Sequence, residues 1–252
     1  PRHSPILRGM PSPVSDDQAR SNAAHDRADP GARVIAFFDV DNTLMRGASI
    51  YHLGRAAWRR GFVGWRDIAR FGWHQARFIA VGENHRHQVT VRDRALELVA
   101  GHTEAELEIL AAETYDDRVV PLLLPDTVAL AHDHLARGHD VWLITATPER
   151  FATIMAERLG LTGAIASRIE SVDGVFTGRL LGPVMHGAHK ADAAAALAAQ
   201  KGVSVRNCWA YSDSRNDIPL LELVGHRTVV NPDAALLRYA RARGWPVLHA
   251  RP

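Results

Sequence analysis

Short apolar runs that stop abruptly at a polar residue alternate along this chain with longer stretches of helical period. Val34 to Phe38 is a β-rich run ending at Asp39, Val141 to Ile144 ends at Thr145, and Cys208 to Tyr211 ends at Ser212 and Asp213. An unbroken apolar run of this length suits a strand covered on both faces of a parallel sheet. Two shorter strands are expected at Arg227 to Val230 and Pro246 to Leu248. Each longer run is followed by a helix-compatible stretch. Strands alternating with helices imply right-handed crossovers, hence an α/β fold on a Rossmann-like, doubly wound parallel sheet. A helix from about Pro125 to Arg137, stopped by Gly138, leads into the second strand. Within Arg168 to Gly178, the pair Asp173-Gly174 between β-like arms reads as a hairpin.

About one hundred residues separate the first strand from the second, far more than a crossover helix needs. From about Gly47 to Tyr115 apolar residues such as Trp58, Phe62, Phe71, Phe78, Leu107 and Leu110 recur at helical spacing, which predicts an inserted all-α cap of four helices. Residues 1–32 hold five of the thirteen prolines among Ser, Asp, Asn and Arg, and are expected to form a disordered tail. The expected organisation is therefore a tail at 1–32, a catalytic core from 33–46 and 120–252, and a cap at 47–119.

Composition narrows the function classes. Of 252 residues 46% are hydrophobic and 23% charged, which is ordinary for a globular protein. A formal charge of +2 gives no field that would mark a dedicated nucleic-acid binder, so no nucleic-acid partner is expected. The single cysteine, Cys208, excludes an internal disulfide framework and a cysteine-based zinc cluster, and it opens a strand that should be core. No apolar stretch reaches the ~18 residues of a membrane span, and the N-terminal residues lack the apolar core of a secretion signal, so a cytoplasmic protein is expected. The charge distribution says more than its total. Residues 46–94 carry ten arginines against three acids, and residues 97–118 carry seven acids against Arg118 alone. Either two halves of a bundle hold together by complementary charge, or a basic, aromatic surface draws an anionic amphiphile and makes peripheral contact with a membrane face.

Ligands of open α/β sheets bind beyond the carboxyl ends of the strands, so the polar residues closing the apolar runs are the ones to compare. Asp39 and Asp41, two positions apart at one strand end, project to the same side, and Asp213 arrives from another strand. Three carboxylates in one small volume repel unless a cation holds them. Mg2+ bound by Asp39, Asp213, the backbone carbonyl of Asp41, waters and a substrate phosphate would do so, with Asp217 orienting the waters around it. The Thr145 hydroxyl and the backbone N–H groups of Thr145-Ala146-Thr147, before the helix that Pro148 starts, suit phosphate oxygens. Lys190, one of only two lysines, would neutralise both the phosphate and Asp39. The roles then separate: Asp39 attacks phosphorus as nucleophile, Asp41 serves as general acid and then base, and Mg2+ with Lys190 stabilises charge. Taken singly, each residue has a plainer reading, as a turn, a helix cap or a solvated lysine. Helix caps have no reason to fall together at one end of a sheet.

The run Phe37-Phe38-Asp39-Val40-Asp41-Asn42-Thr43-Leu44 resembles the first motif of the haloacid dehalogenase superfamily. Thr145 stands in the second motif, Lys190 in the third, and Ser212-Asp213-Ser214-Arg215-Asn216-Asp217 in the fourth, in that order. The helical insertion between the first and second motifs is similar to the phosphoserine-phosphatase-like branch. The resemblance covers about residues 33 to 249 and implies a Rossmannoid core, Mg2+ dependence and hydrolysis of a phosphomonoester through an aspartyl phosphate. It implies that Asn216 binds substrate, and it matches the cap arginine that reads a substrate carboxylate to Arg94. The glutamate that reads the serine ammonium, nine residues beyond the nucleophile, is replaced by Ala48. A small phosphorylated metabolite is the expected substrate. The alternatives are histidinol phosphate, a lysophospholipid-type phosphate, phosphotransfer to another alcohol, and a non-enzymatic module that binds a phosphorylated ligand or docks on a membrane.

Overall fold

In the computed structural model, which describes residues 33–62, 96 and 99–251, the apolar run Ile35–Phe38 becomes strand β1. Then come β2 (Asp140–Pro148), β3 (Gly163–Ser167), a hairpin of β4 (Ile169–Val172) and β5 (Val175–Leu180), then β6 (Cys208–Ser212), β7 (His226–Val230) and β8 (Val247–Leu248). Six of them form one parallel sheet in the order β3-β2-β1-β6-β7-β8. The chain starts at the centre, builds outward through β2 and β3, then returns to the other side of β1. That reversal opens a crevice at the carboxyl ends of β1 and its neighbours.

The alternation of β1 shows how the two layers of helices are held. Ala36 and Phe38 face one core cluster with Phe151, Ile154 and Met155 of α4 (Glu149–Arg158) and Ala131 of α3 (Pro125–Ala136). Ile35 and Phe37 face the other, with Ala194 and Ala198 of α5 (Ala188–Gln200), Leu220 of α6 (Ile218–Leu223) and Leu236 of α7 (Ala234–Ala242). Every β1 side chain is therefore removed from water, as a doubly covered strand requires. Cys208 is buried within the second cluster. His134 is a core histidine: one ring nitrogen lies 2.8 Å from the Tyr211 hydroxyl and the other 2.8 Å from His139.

Two strand expectations need correction. Pro148 is the N-cap of the following helix and not its first residue. β2 runs on through it, and α4 begins at Glu149. The register of β2 against β3 shifts between Thr145 and Pro148, which leaves Ala146 and Thr147 bulged from the ladder. Bulges of this kind re-aim side chains beside functional sites. Edge strand β3 was not expected, because Gly163-Ala164-Ile165-Ala166 carries little apolar pattern. The glycine is there for packing: a Cβ at Gly163 would stand 2.7 Å from the Trp142 ring. At Asp173-Gly174 both residues have positive φ, 50° and 76°, the geometry of a two-residue hairpin turn.

Between β1 and β2 the chain forms α1 (Ser49–Arg59) and α2 (Glu104–Thr114), which pack on each other, and α2 also packs on α4. The start of α2 is fixed by a capping box in which Thr103 and Glu106 satisfy each other's backbone N–H groups. The chain leaves and re-enters the core side by side: the Arg46 N–H donates to Leu122 O and the Leu124 N–H to Leu44 O. The hairpin reaches this helical layer through Gly101 N–H to Phe176 O and Glu104 N–H to Gly174 O. The acids of α2 pair partly within the cap, Glu113 with Arg60, and partly with the core, Glu108 with Arg150, while Asp116 just after it pairs with Arg158. The expected tail at 1–32 and cap residues 63–95, with the other helices expected there and most of the basic half of the cap, lie outside the described residues.

Candidate active site

The polar residues closing the apolar runs meet at one end of the sheet. Asp39 follows β1 directly, its N–H bonded to Tyr211 O of β6. Lys190, in the first turn of α5, extends into this crevice and is almost completely buried. Its Nζ donates to Asp39 Oδ1 at 2.6 Å and to Asp217 Oδ2 at 2.7 Å. The Ser212 hydroxyl donates to the same Asp217 oxygen at 2.7 Å. Asp217 thus stands against the lysine and clamps it. A buried ammonium is tolerated when opposite charge and acceptors meet it, and here two carboxylates take two of its three donors.

Asp41 is held from the inserted segment. Its Oδ1 accepts the Ser49 N–H, in the first turn of α1, at 2.8 Å. The turn between them needs Asn42 in the left-handed region, φ 55°, and Asn42 Oδ1 accepts the Gly47 N–H. Ser49 and Thr147 share a buried hydroxyl–hydroxyl hydrogen bond of 2.5 Å, and Thr145 Oγ1 donates to Thr147 Oγ1 at 3.2 Å. Thr145 and Thr147 are both buried, while Ala146 between them is exposed. The first turn of α1 is therefore tied to the strand end of β2 as well as to Asp41.

The acids are electrostatically stressed. Burial, with repulsion from Asp217 and Asp41, pushes Asp39 up to about 6 although Lys190 opposes the shift. Burial and the charges of Asp39 and Asp217 push Asp213 up to about 7, opposed by hydrogen bonds from its own backbone and from Asn42. For Lys190, burial works against the charge, but Asp39 and Asp217 outweigh it and its pKa rises. Among the described residues no three acidic, histidine or cysteine side chains converge into a ready-made metal cage. Mg2+ seldom uses one; it is held by one or two carboxylates and completes its shell with water and substrate phosphate. Two carboxylates held high by burial and repulsion, Asp39 and Asp213, fit that donor set, together with the Asp41 carbonyl.

Asp39, Asp41, Thr145, Lys190, Asp213 and Asp217 thus belong to one crevice. Asn216 is exposed in the turn before α6, and its side-chain amide donates to Ser214 Oγ. Arg94 lies outside the described residues. The pattern of residues gave no role to Ser49, nor to the side chains of Ser212 and Thr147, which it placed at strand ends. Thr147 had a legible signal, since Thr145 and Thr147 are two apart on a strand end and share a side. Ser49 had none, because its partner is 98 positions away.

Beside these residues lies a cavity of about 360 Å³ bounded by Asp41, Ala146 and Thr147 at one end. Its other walls come from α1, α2 and the hairpin.

Comparison with known proteins agrees with the geometry. Residues 36–222 match the family model for haloacid dehalogenase-like hydrolases. Phosphoserine phosphatase SerB1 of Mycobacterium tuberculosis is 44% identical over 247 residues, covering 97% of this chain and 78% of the relative. The crystal structure of a protein of unknown function from Bordetella pertussis Tohama I matches with a TM-score of 0.73 at 31% identity, covering 86% of this chain and 99% of that one. A phosphoserine phosphatase solved as a phospho-aspartyl intermediate analogue has the same fold, with a TM-score of 0.59 at 20% identity over 87% of this chain and 95% of that one. The class is a phosphatase, phosphoserine-phosphatase-like in build. Since the family model spans most of the sequence, the chain belongs to the haloacid dehalogenase-like hydrolases.

Proposed function

We propose that the protein is a Mg2+-dependent phosphomonoester phosphatase that works through an aspartyl phosphate on Asp39. The core would be residues 33–46 and 120–252 and the cap residues 47–119. The observation that supports this best is the buried Lys190 bridging Asp39 and Asp217 at 2.6 and 2.7 Å, beside Asp213 and Asp41. Such an arrangement keeps a carboxylate ionised in a dry site and presents positive charge where phosphoryl oxygens would lie.

In the first step an Asp39 oxygen bonds to phosphorus as the bond from phosphorus to the leaving oxygen breaks, and Asp41 gives that oxygen its proton. In the second, Asp41 takes a proton from water, whose oxygen bonds to phosphorus; phosphate departs and the Asp39 carboxylate is restored. The Thr145 hydroxyl, by turning from Thr147 Oγ1, and the Ala146 N–H in the bulge would offer donors to the phosphoryl oxygens, and Lys190 balances the charge of the Asp39 carboxylate before attack and after hydrolysis. When bound, Mg2+ would supply Lewis-acid stabilisation of the transferring oxygens, held by Asp39, Asp213 and the Asp41 carbonyl. Asp41 is positioned by the first turn of α1, so the acid and the inserted segment are placed together.

Phosphoserine is what the relative's name says of that relative. Here Ala48 is exposed before α1 and brings no carboxylate to an ammonium. A small phosphomonoester is the substrate class this reading supports. Phosphate release from p-nitrophenyl phosphate, measured with Mg2+ and with chelator, tests it. Turnover that needs the metal and disappears in Asp39→Asn is expected; turnover indifferent to either would overturn the proposal.

A further inference from the structure

The cavity joins the strand-end cluster to walls of opposite character. At one end are Asp41, Ala146 and Thr147; beyond them are Ile50 and Leu53 of α1, Leu107 and Leu110 of α2, and Ile169 and Leu180 of the hairpin. Leu53, Leu107 and Leu110 are buried, and Ile50 is 44% exposed. Among the described lining residues none is Lys or Arg, and Asp41 is the one carboxylate. His102 also lines the cavity, but one of its ring nitrogens meets Phe62 O at 3.3 Å and the other lies 3.6 Å from Glu106. Its volume of about 360 Å³ falls at the lower end of small-molecule sites, roughly 300–1,000 Å³.

An amino-acid leaving group carries an ammonium and a carboxylate. Among the described lining residues the carboxylate would meet no Lys or Arg and the ammonium no carboxylate but Asp41, one oxygen of which already accepts the Ser49 N–H. Stripping water from both without replacement is costly. A hydrocarbon chain loses no hydrogen bond there and gains by leaving water. We infer that this cavity receives the leaving-group side of the substrate and that the substrate is a phosphomonoester of an apolar chain. The inference rests on the phosphatase reading above and adds its substrate class. The chain departs as an alcohol, taking its proton from Asp41 as the bond to phosphorus breaks and the phosphoryl group passes to Asp39.

The test is a homologous series of ethyl, butyl, hexyl and octyl phosphate, with phosphoserine and p-nitrophenyl phosphate alongside, turned over by the full chain with Mg2+. Binding of ethyl and octyl phosphonate is measured by calorimetry in parallel. From the usual gain on burying a methylene, kcat/KM should climb by up to about fourfold per added CH2 until the cavity is full. Octyl phosphate should exceed phosphoserine by at least about tenfold. Ile50→Glu, at an exposed position that does not threaten the fold, should lower the octyl-to-ethyl ratio by about tenfold in both measurements. A flat series with p-nitrophenyl phosphate still hydrolysed overturns the chain-binding inference and leaves the phosphatase reading standing. No release from any ester overturns the phosphatase reading; the phosphonate titrations then decide the cavity alone, and equal affinity for ethyl and octyl phosphonate refutes it.

Discussion

The strand-end crevice and the cavity next to it share Asp41 and Thr147 and are otherwise built from opposite materials. In the crevice, Ser212, Asp217, Lys190 and Asp39 form a chain of buried hydrogen bonds between 2.6 and 2.7 Å long, three of its four members charged. In the cavity the walls are Leu53, Leu107, Leu110 and their apolar neighbours. A buried charged network is worth its cost only when complete, and loss of one member strands the others. Apolar walls are graded, since each methylene contributes a small, similar amount. The chemistry of this protein should therefore be brittle to single changes, and its choice of substrate tunable.

The largest expected effect is at the nucleophile. Asp39→Asn should lower kcat by at least about 10³-fold, as loss of a member of a cooperating catalytic unit does, while the protein stays folded by circular dichroism. Lys190→Met comes next. It should cost about 10²-fold or more in kcat and roughly 3 kcal/mol of stability in urea unfolding near neutral pH, because Asp39 and Asp217 would then face each other without a cation. A Lys190→Met protein as stable and active as the wild type would show that the network is not the brittle unit described.

A third change separates stress from stability. Asp213 sits at about 7, raised chiefly by burial and then by Asp39 and Asp217. A carboxyl whose folded pKa lies above its unfolded value near 4 stabilises the fold when protonated. That stability is complete below about pH 4 and is lost as pH rises through about 7. The metal-free Asp213→Asn protein should thus melt roughly 2–4 °C above the metal-free wild type at pH 8, with no difference at pH 4. Mg2+ should raise the wild-type melting temperature at pH 8 and leave that of Asp213→Asn almost unmoved. The smallest effect belongs to Ser49→Ala. It removes the bond to Thr147 but keeps the backbone N–H to Asp41, so kcat should fall by only about 2–10-fold, the worth of one neutral hydrogen bond.

How much of this was legible in the sequence differs between the same two regions. The crevice could be read because its residues close apolar runs: Asp39 after Phe38, Thr145 after Ile144, Asp213 after Tyr211 and Ser212. Period and punctuation place such residues at one end of a sheet before any contact is known. Lys190 was legible through rarity and position, but its burial between Asp39 and Asp217 depends on α5 docking against the sheet. The cavity was not legible. Phe62, Leu107 and Leu110 have helical spacing and read as the core of a bundle; that some of them line a space follows from how α1, α2 and the hairpin meet. The extension of β2 through Pro148 was hidden too, because the residues after Ile144 are polar or small and the bulge opposite β3 is a matter of pairing.

In the proposed reaction Asp39 carries the phosphoryl group. Acid quenching of the Mg2+-loaded protein during turnover of p-nitrophenyl phosphate, followed by peptide mass spectrometry, tests this directly. A phosphorylated peptide containing Asp39, labile to hydroxylamine as an acyl phosphate is, and absent from Asp39→Asn is the expected result. Steady turnover with no phosphopeptide, or with the phosphate on another residue, would contradict it.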